Sequence, residues 1–115
     1  MLELSDDRLD AVFRALANRG RRAMIARLTA GPASLSELAS PLDMTLSAVE
    51  QHLKVLERCA LARSAKQGRV RTCHLEPETL RATEHWLSAH RETWERHLDR
   101  LADFLDDTAP DSRET

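Results

Sequence analysis

Aromatic side chains are almost missing from this sequence: two Trp, two Phe and no Tyr among 115 residues. A core with so few rings has to be filled with Leu, Ala and Val. No run of 18 apolar residues occurs and no signal-peptide pattern opens the chain, which predicts a soluble, cytoplasmic protein with no membrane partner. The two cysteines do not make a disulfide framework. The three glycines form no phosphate-cradling loop, and neither paired carboxylates in an apolar setting nor a Ser–His–Asp spacing is present. Enzyme chemistry is therefore not expected, and neither is a cofactor. The length suits one domain with a modest core and is too short for a catalytic cleft between two domains.

Net charge is the next thing in short supply. A total of −2 looks wrong for a nucleic-acid binder, but it hides a partition. Residues 14–75 carry 11 Lys and Arg against 4 Asp and Glu, while residues 76–115 carry 5 against 11. The basic middle and the acidic ends must serve different purposes.

That basic middle contains two closely spaced helical signals. Ser34-Leu35-Ser36-Glu37-Leu38-Ala39 reads as a short helix with Ser34 as N-cap and Glu37 as its capping-box partner. Pro41 then limits continuation. A second helix opens at Thr45, whose cap is only partial because Ala48 offers no return partner. Leu46, Val49, Leu53 and Leu56 recur at spacings of three and four, one apolar stripe. The other face carries Ser47, Glu50, Gln51, Lys54 and Arg58, with His52 nearby, a set suited to base edges and phosphates. Two helices joined by a tight break, the second polar on its outer face, make a helix-turn-helix.

Two extended runs follow, residues 61–66 and 70–75, around Gln67-Gly68-Arg69. Gly68 supplies the positive φ of a tight hairpin, and Lys66, Arg69 and Arg71 crowd its tip. A basic hairpin directly after a recognition helix is a wing. Further out, residues 4–17 read as a first helix capped by Ser5, with Leu9, Val12, Phe13 and Leu16 on its apolar face. Asn18-Arg19-Gly20 reads as a break, and residues 21–30 as a second helix. Glu76-Pro77-Glu78 opens a last helix that runs to about Asp106. There Leu80, Leu87, Trp94 and Leu101 recur every seven residues, with Leu98 and Leu105 in a second seam and Trp86 and Phe104 widening the stripe. Residues 107–115 read as a disordered polar tail outside a 1–106 domain.

With these elements in order, the chain resembles the ArsR-type winged-helix repressors. The resemblance is carried by Phe13-Arg14-Ala15-Leu16-Ala17-Asn18, Arg21-Arg22-Ala23-Met24-Ile25, Leu38-Ala39, the run Ser47 to Glu57, and Gly68-Arg69-Val70-Arg71. It implies a mainly α fold, about five helices plus a two-stranded wing, forming a homodimer through the terminal helices. It also implies a repressor that binds a (pseudo)palindromic double-stranded promoter site. The residues expected on DNA are Thr45, Ser47, Ala48, Gln51, His52 and Lys54 from the helix, and Lys66, Arg69 and Arg71 from the wing. Leu9, Phe13, Leu87, Trp94, Leu98, Leu101 and Leu105 are expected at the dimer interface. Arg21 and Arg22 are expected on backbone or acidic neighbours, not on bases.

The chain departs from the family in four places. Arg19-Gly20 replaces a pair that is commonly proline–threonine or similar, which predicts a looser junction. Glu50 stands where serine is more frequent; a carboxylate there repels phosphate unless it accepts from cytosine N4 or pairs with Lys54. The helix that carries a cysteine pair in the thiolate-type metal sensors has Ser34-Leu35-Ser36-Glu37-Leu38 instead. The Asp-x-His and His-x-x-Glu pairs of a second metal site lack their carboxylates: Thr83 precedes His85, and Arg100 follows His97. No metal site is expected. Cys59 and Cys73 are read either as small buried hydrophobes or as a redox-switched pair, which would make a thiol-responsive repressor. The alternative of a different kind is a protein-interaction module that keeps the winged helix without DNA.

Overall fold

The first turn of the chain shows how local chemistry sets the elements. Ser5 accepts the Arg8 N–H on its side-chain oxygen at 3.3 Å, and Asp6 and Asp7 sit on the positive end of the helix that follows. This is α1 (Asp6–Leu16), which buries Leu9, Val12 and Ala15. The computed structural model describes residues 2–108. The chain divides into two compact units, one ending at Thr83 and one beginning at Glu84.

The second helix starts earlier than the sequence suggests. Asn18 caps it by accepting the Arg21 N–H at 3.0 Å, so α2 (Arg19–Leu28) takes Arg19 and Gly20 into its first turn. The expected loose junction is instead tightly joined. Arg21 donates from Nε to the Ala15 carbonyl at 2.7 Å and from a terminal nitrogen to the Arg14 carbonyl at 3.1 Å, and Arg22 donates to the Leu16 carbonyl at 2.7 Å. These are carbonyls of the last turn of α1, where helical N–H partners run out; that of Arg14 also accepts the Ala17 N–H at 3.2 Å. Both arginines therefore meet protein backbone.

Ser34 has two duties. It closes β1 (Ala33–Ser34) and caps α3 (Leu35–Ala39), receiving the Glu37 N–H at 3.2 Å while Glu37 takes the Ser34 N–H at 3.0 Å. The expected capping box is therefore in place. After α3 the chain reverses through Asp43, at φ 54°, and the Met44 N–H returns to the Ala39 carbonyl at 2.9 Å. Aspartate is one of the few residues that tolerate that left-handed backbone. Thr45 then caps α4 (Leu46–Arg58) through the Ala48 N–H at 3.0 Å.

The wing is β2 (Ala62–Gln67) and β3 (Val70–Leu75), antiparallel, with Gln67 opposite Val70 and a two-residue Gly68-Arg69 loop. Gly68 has φ +63° at the first loop position, where a type II′ turn uses glycine. The sheet has three strands, not two: β1 pairs with β3 in the order β1–β3–β2, Ala33 facing Cys73. A two-residue strand has no periodicity to show in a sequence, yet it ties the start of α3 to the wing.

The core of this unit is aliphatic, as the aromatic shortage requires. Val12, Met24, Leu38, Val49, Leu53, Leu56, Leu61 and Cys73 lie within it, and each large aliphatic side chain contributes about 1.5–3 kcal/mol by burial. Two expected positions differ. Leu46, counted in the α4 stripe, is half exposed in the first turn. Leu80, counted in the heptad stripe, packs against the core.

The last helix, α5 (Pro77–Thr108), extends past the expected end near Asp106 and takes in Asp107 and Thr108. The rest of the expected tail, residues 109–115, lies outside the described residues. In the second unit the apolar stripe of α5 is open: Leu87, Trp94, Leu98, Leu101, Phe104 and Leu105 are all exposed, Trp94 at 61% and Phe104 at 60%. The Trp86 and His90 rings stack at 4.2 Å, and Arg91 pairs with Glu95 one turn on. No helix among the described residues is long and apolar enough to cross a membrane.

Candidate nucleic-acid interface

Burial of Val49, Leu53 and Leu56 fixes the orientation of α4, and so leaves Ser47, Glu50, Gln51 and Lys54 on its exposed side. Thr45 is exposed at the cap, its hydroxyl already occupied by the Ala48 N–H. Ala48 and His52 are half-buried. His52 leans toward α2: a Cβ placed on Gly20 would lie 3.0 Å from its Nε2. Burial, and then the charge of Arg21, holds this imidazole below the usual histidine range. Of the residues expected on DNA, Ala48 and His52 border the buried stripe, and the fold turns the His52 ring toward α2.

The wing runs alongside α4. Lys66 stands opposite Arg71 across the hairpin, a like-charge pair that disfavours the bare hairpin and suits an anion. A groove of about 480 Å³ lies between helix and wing, lined by Ser34, Ser36, Leu46, Glu50, Lys66, Arg69 and Arg71. Arg71 is not a free cation. Its guanidinium donates to the Ser64 hydroxyl at 2.9 Å, and that hydroxyl donates to Glu57 on α4 at 3.2 Å. This chain of bonds ties wing to helix. Glu57, Ser64, Ser36 and Val70 are not among the residues that the sequence places on DNA. The strand alternation puts Ser64 on the side of Lys66, which was the available signal. Glu50 does not form the Lys54 ion pair; among the described residues it has no hydrogen-bond or ion-pair partner.

The two cysteines are free and buried. Cys59 donates to the Leu56 carbonyl at 3.4 Å, and burial raises its thiol above the usual range. Cys73, facing Ala33 and Ser64 across its neighbouring strands, is pushed up to about 11 by burial and then by Glu57. Thiol oxidation proceeds through the thiolate, which both sites disfavour. No group of three or more possible metal ligands occurs among the described residues.

Leu9, expected at a subunit interface, is buried within its own chain at 6% exposure, so its side chain has little surface to offer a partner. Phe13 from α1 keeps 37% of its surface exposed.

Comparison with known proteins agrees with this architecture. A family model described as a helix-turn-helix domain matches residues 16–64, from the end of α1 into the wing. A curated relative, the HTH-type transcriptional regulator Rv2034 of Mycobacterium tuberculosis, is 36% identical over 103 residues, 90% of this chain and 94% of that protein. The crystal structure of an ArsR family transcriptional regulator, RHA00566, superposes with a TM-score of 0.73 at 45% identity, covering 82% of this chain and 97% of that one. A homodimeric winged helix-turn-helix DNA-binding domain from Mycobacterium bovis shares the fold at a TM-score of 0.61 and 21% identity, over 87% of this chain and 95% of that one. This is a family of transcriptional regulators and not of enzymes. With its capped helix pair, wing and extended match to these regulators, the chain belongs to the ArsR family of helix-turn-helix transcriptional regulators.

Proposed function

We propose that the protein acts as a homodimeric repressor that occupies a (pseudo)palindromic promoter site in the cytoplasm. Each subunit lays α4 in a major groove, with half-site centres about 34 Å apart, one turn of the duplex. Ser47 and Gln51 face base edges, while Lys54, Lys66 and Arg69 meet phosphates. The observation that carries this reading is the exposed row of Ser47, Gln51 and Lys54 beside a wing whose cations Lys66 and Arg69 border the same groove. Arg71 contributes as a cation held in place by Ser64. Subunit pairing through the open stripe of α5 is supported by the exposure of Trp94, Leu98, Leu101 and Leu105, and by the homodimer reported for the Mycobacterium bovis domain. Residues 1–106 are the working domain.

The test is a fluorescence-anisotropy titration against the protein's own upstream DNA and a scrambled duplex across a salt series. Tight binding to the upstream duplex, with weaker and steeply salt-dependent binding to the scramble, is expected. Lys54→Glu and Arg69→Glu each abolish that binding. Equal, weak binding to both duplexes, unchanged by either reversal, would turn the reading toward a protein-interaction module.

A further inference from the structure

We propose that Glu50 is a base-reading residue, its carboxylate accepting a hydrogen bond from cytosine N4 at one position in each half-site. This rests on the DNA-binding reading given above, and names the base that one part of the interface selects.

Glu50 is exposed on α4, between the helix and the wing. It borders the groove that holds Lys66, Arg69 and Arg71, and also the adjoining one that holds Lys54, Glu57 and Arg71. The two cations that line the second groove with it are not bonded to it. Lys54, one turn on, forms no ion pair with it, and Arg71 donates to Ser64. The carboxylate that does hold the wing is Glu57, through Ser64. Glu50 therefore has no structural bond to keep, although it stands in the middle of the cationic face. A carboxylate there opposes phosphate approach and lowers affinity for DNA of arbitrary sequence.

The chemistry of the group then selects its partner. An ionised carboxylate only accepts hydrogen bonds. Guanine presents O6 and N7, both acceptors, and thymine presents an acceptor and a methyl group. Adenine has a donor at N6, but its N7 acceptor lies beside it and repels a carboxylate. Cytosine N4 has an acceptor, guanine O6, on one side only, and its own base offers a C–H on the other. Repulsion from every sequence, relieved where a cytosine is met, sharpens discrimination more than it strengthens binding.

The experiment is in vitro selection from a randomised duplex library with the full-length protein and its Glu50→Gln and Glu50→Ala variants. Anisotropy titrations follow on the selected site, with each base pair replaced in turn. For the wild type, one C·G pair in each half-site is expected to matter by about tenfold in Kd. In Glu50→Ala that position becomes degenerate, the other positions keep their preferences, and affinity for mixed-sequence DNA rises. Glu50→Gln, which can donate as well as accept, moves the preference toward adenine. Because Glu50 is exposed, both variants are expected to keep the wild-type circular dichroism spectrum. An unchanged motif in both variants would overturn the proposal, even if overall affinity rose, since Glu50 would then be a repulsive charge that reads nothing. A wild-type protein that enriches no motif would overturn the DNA-binding reading itself, a result visible before any variant is compared.

Discussion

Gly20 and His52 meet where α2 approaches α4, and each limits the other. A Cβ on Gly20 would lie 3.0 Å from His52 Nε2, 3.2 Å from Asn18 Oδ1 and 3.3 Å from Met44 Cε. A glycine in a helix ordinarily costs stability relative to alanine, but here the space it leaves is filled by neighbours. Gly20→Val is expected to lower stability by about 1–3 kcal/mol through overpacking, read by chemical denaturation. His52 adds a pH dependence. Burial and the Arg21 charge depress its pKa in the folded state from 6.5, so the folded chain favours the neutral ring. The corresponding stability is present above 6.5 and is lost as the pH falls through the lower folded value. Denaturation midpoints measured from pH 7.5 down to 5 should therefore decline, and His52→Gln should flatten part of that decline.

At the scale of elements, the caps decide where helices begin. Ser34 and Glu37 satisfy each other's backbone N–H groups at the start of α3, and the Ser34 N–H and then its hydroxyl hold the Glu37 carboxyl below the usual carboxylate range. Ser34→Ala removes the hydroxyl that receives the Glu37 N–H. It is expected to cost about 0.5–2 kcal/mol in thermal or urea unfolding. With only five residues, α3 has little else to hold its first turn. Most of this layout is legible in the sequence, because a cap and its partner are three residues apart. The start of α2 was less so. In the sequence Asn18 reads as part of a break, although an asparagine before a helical run is also a cap, and the arginine bonds to the end of α1 depend on how the two helices pack.

For the molecule as a whole, the open stripe on α5 is the feature that monomeric folding leaves unfinished. Trp94, Leu98, Leu101 and Leu105 recur at helical spacing and remain exposed, which is costly for a solvated helix and suits a partner surface. Leu101→Glu is expected to convert a dimer to a monomer in sedimentation velocity. Binding to a two-half-site duplex should weaken by more than tenfold, while the spectrum of the winged-helix unit is kept. An unchanged sedimentation coefficient would remove α5 from the interface.

By itself the sequence determined what short-range chemistry can write. Caps at Ser5, Ser34 and Thr45, the aliphatic stripe of α4, the hairpin at Gly68 and the separation of basic middle from acidic ends all depend on residues a few positions apart, or on composition. Only the tertiary structure decided the contacts between residues far apart in the chain. It paired Ala33 with Cys73 in a third strand, buried Leu9 in its own subunit and turned His52 toward Gly20. It also passed Arg71 through Ser64 to Glu57, and among the described residues it left Glu50 without a hydrogen-bond or ion-pair partner on the outer face of α4. The reason is physical. Periodicity tells which face of a helix is apolar, but which side chain at the border of that face is buried, paired or left free depends on what the other elements bring against it.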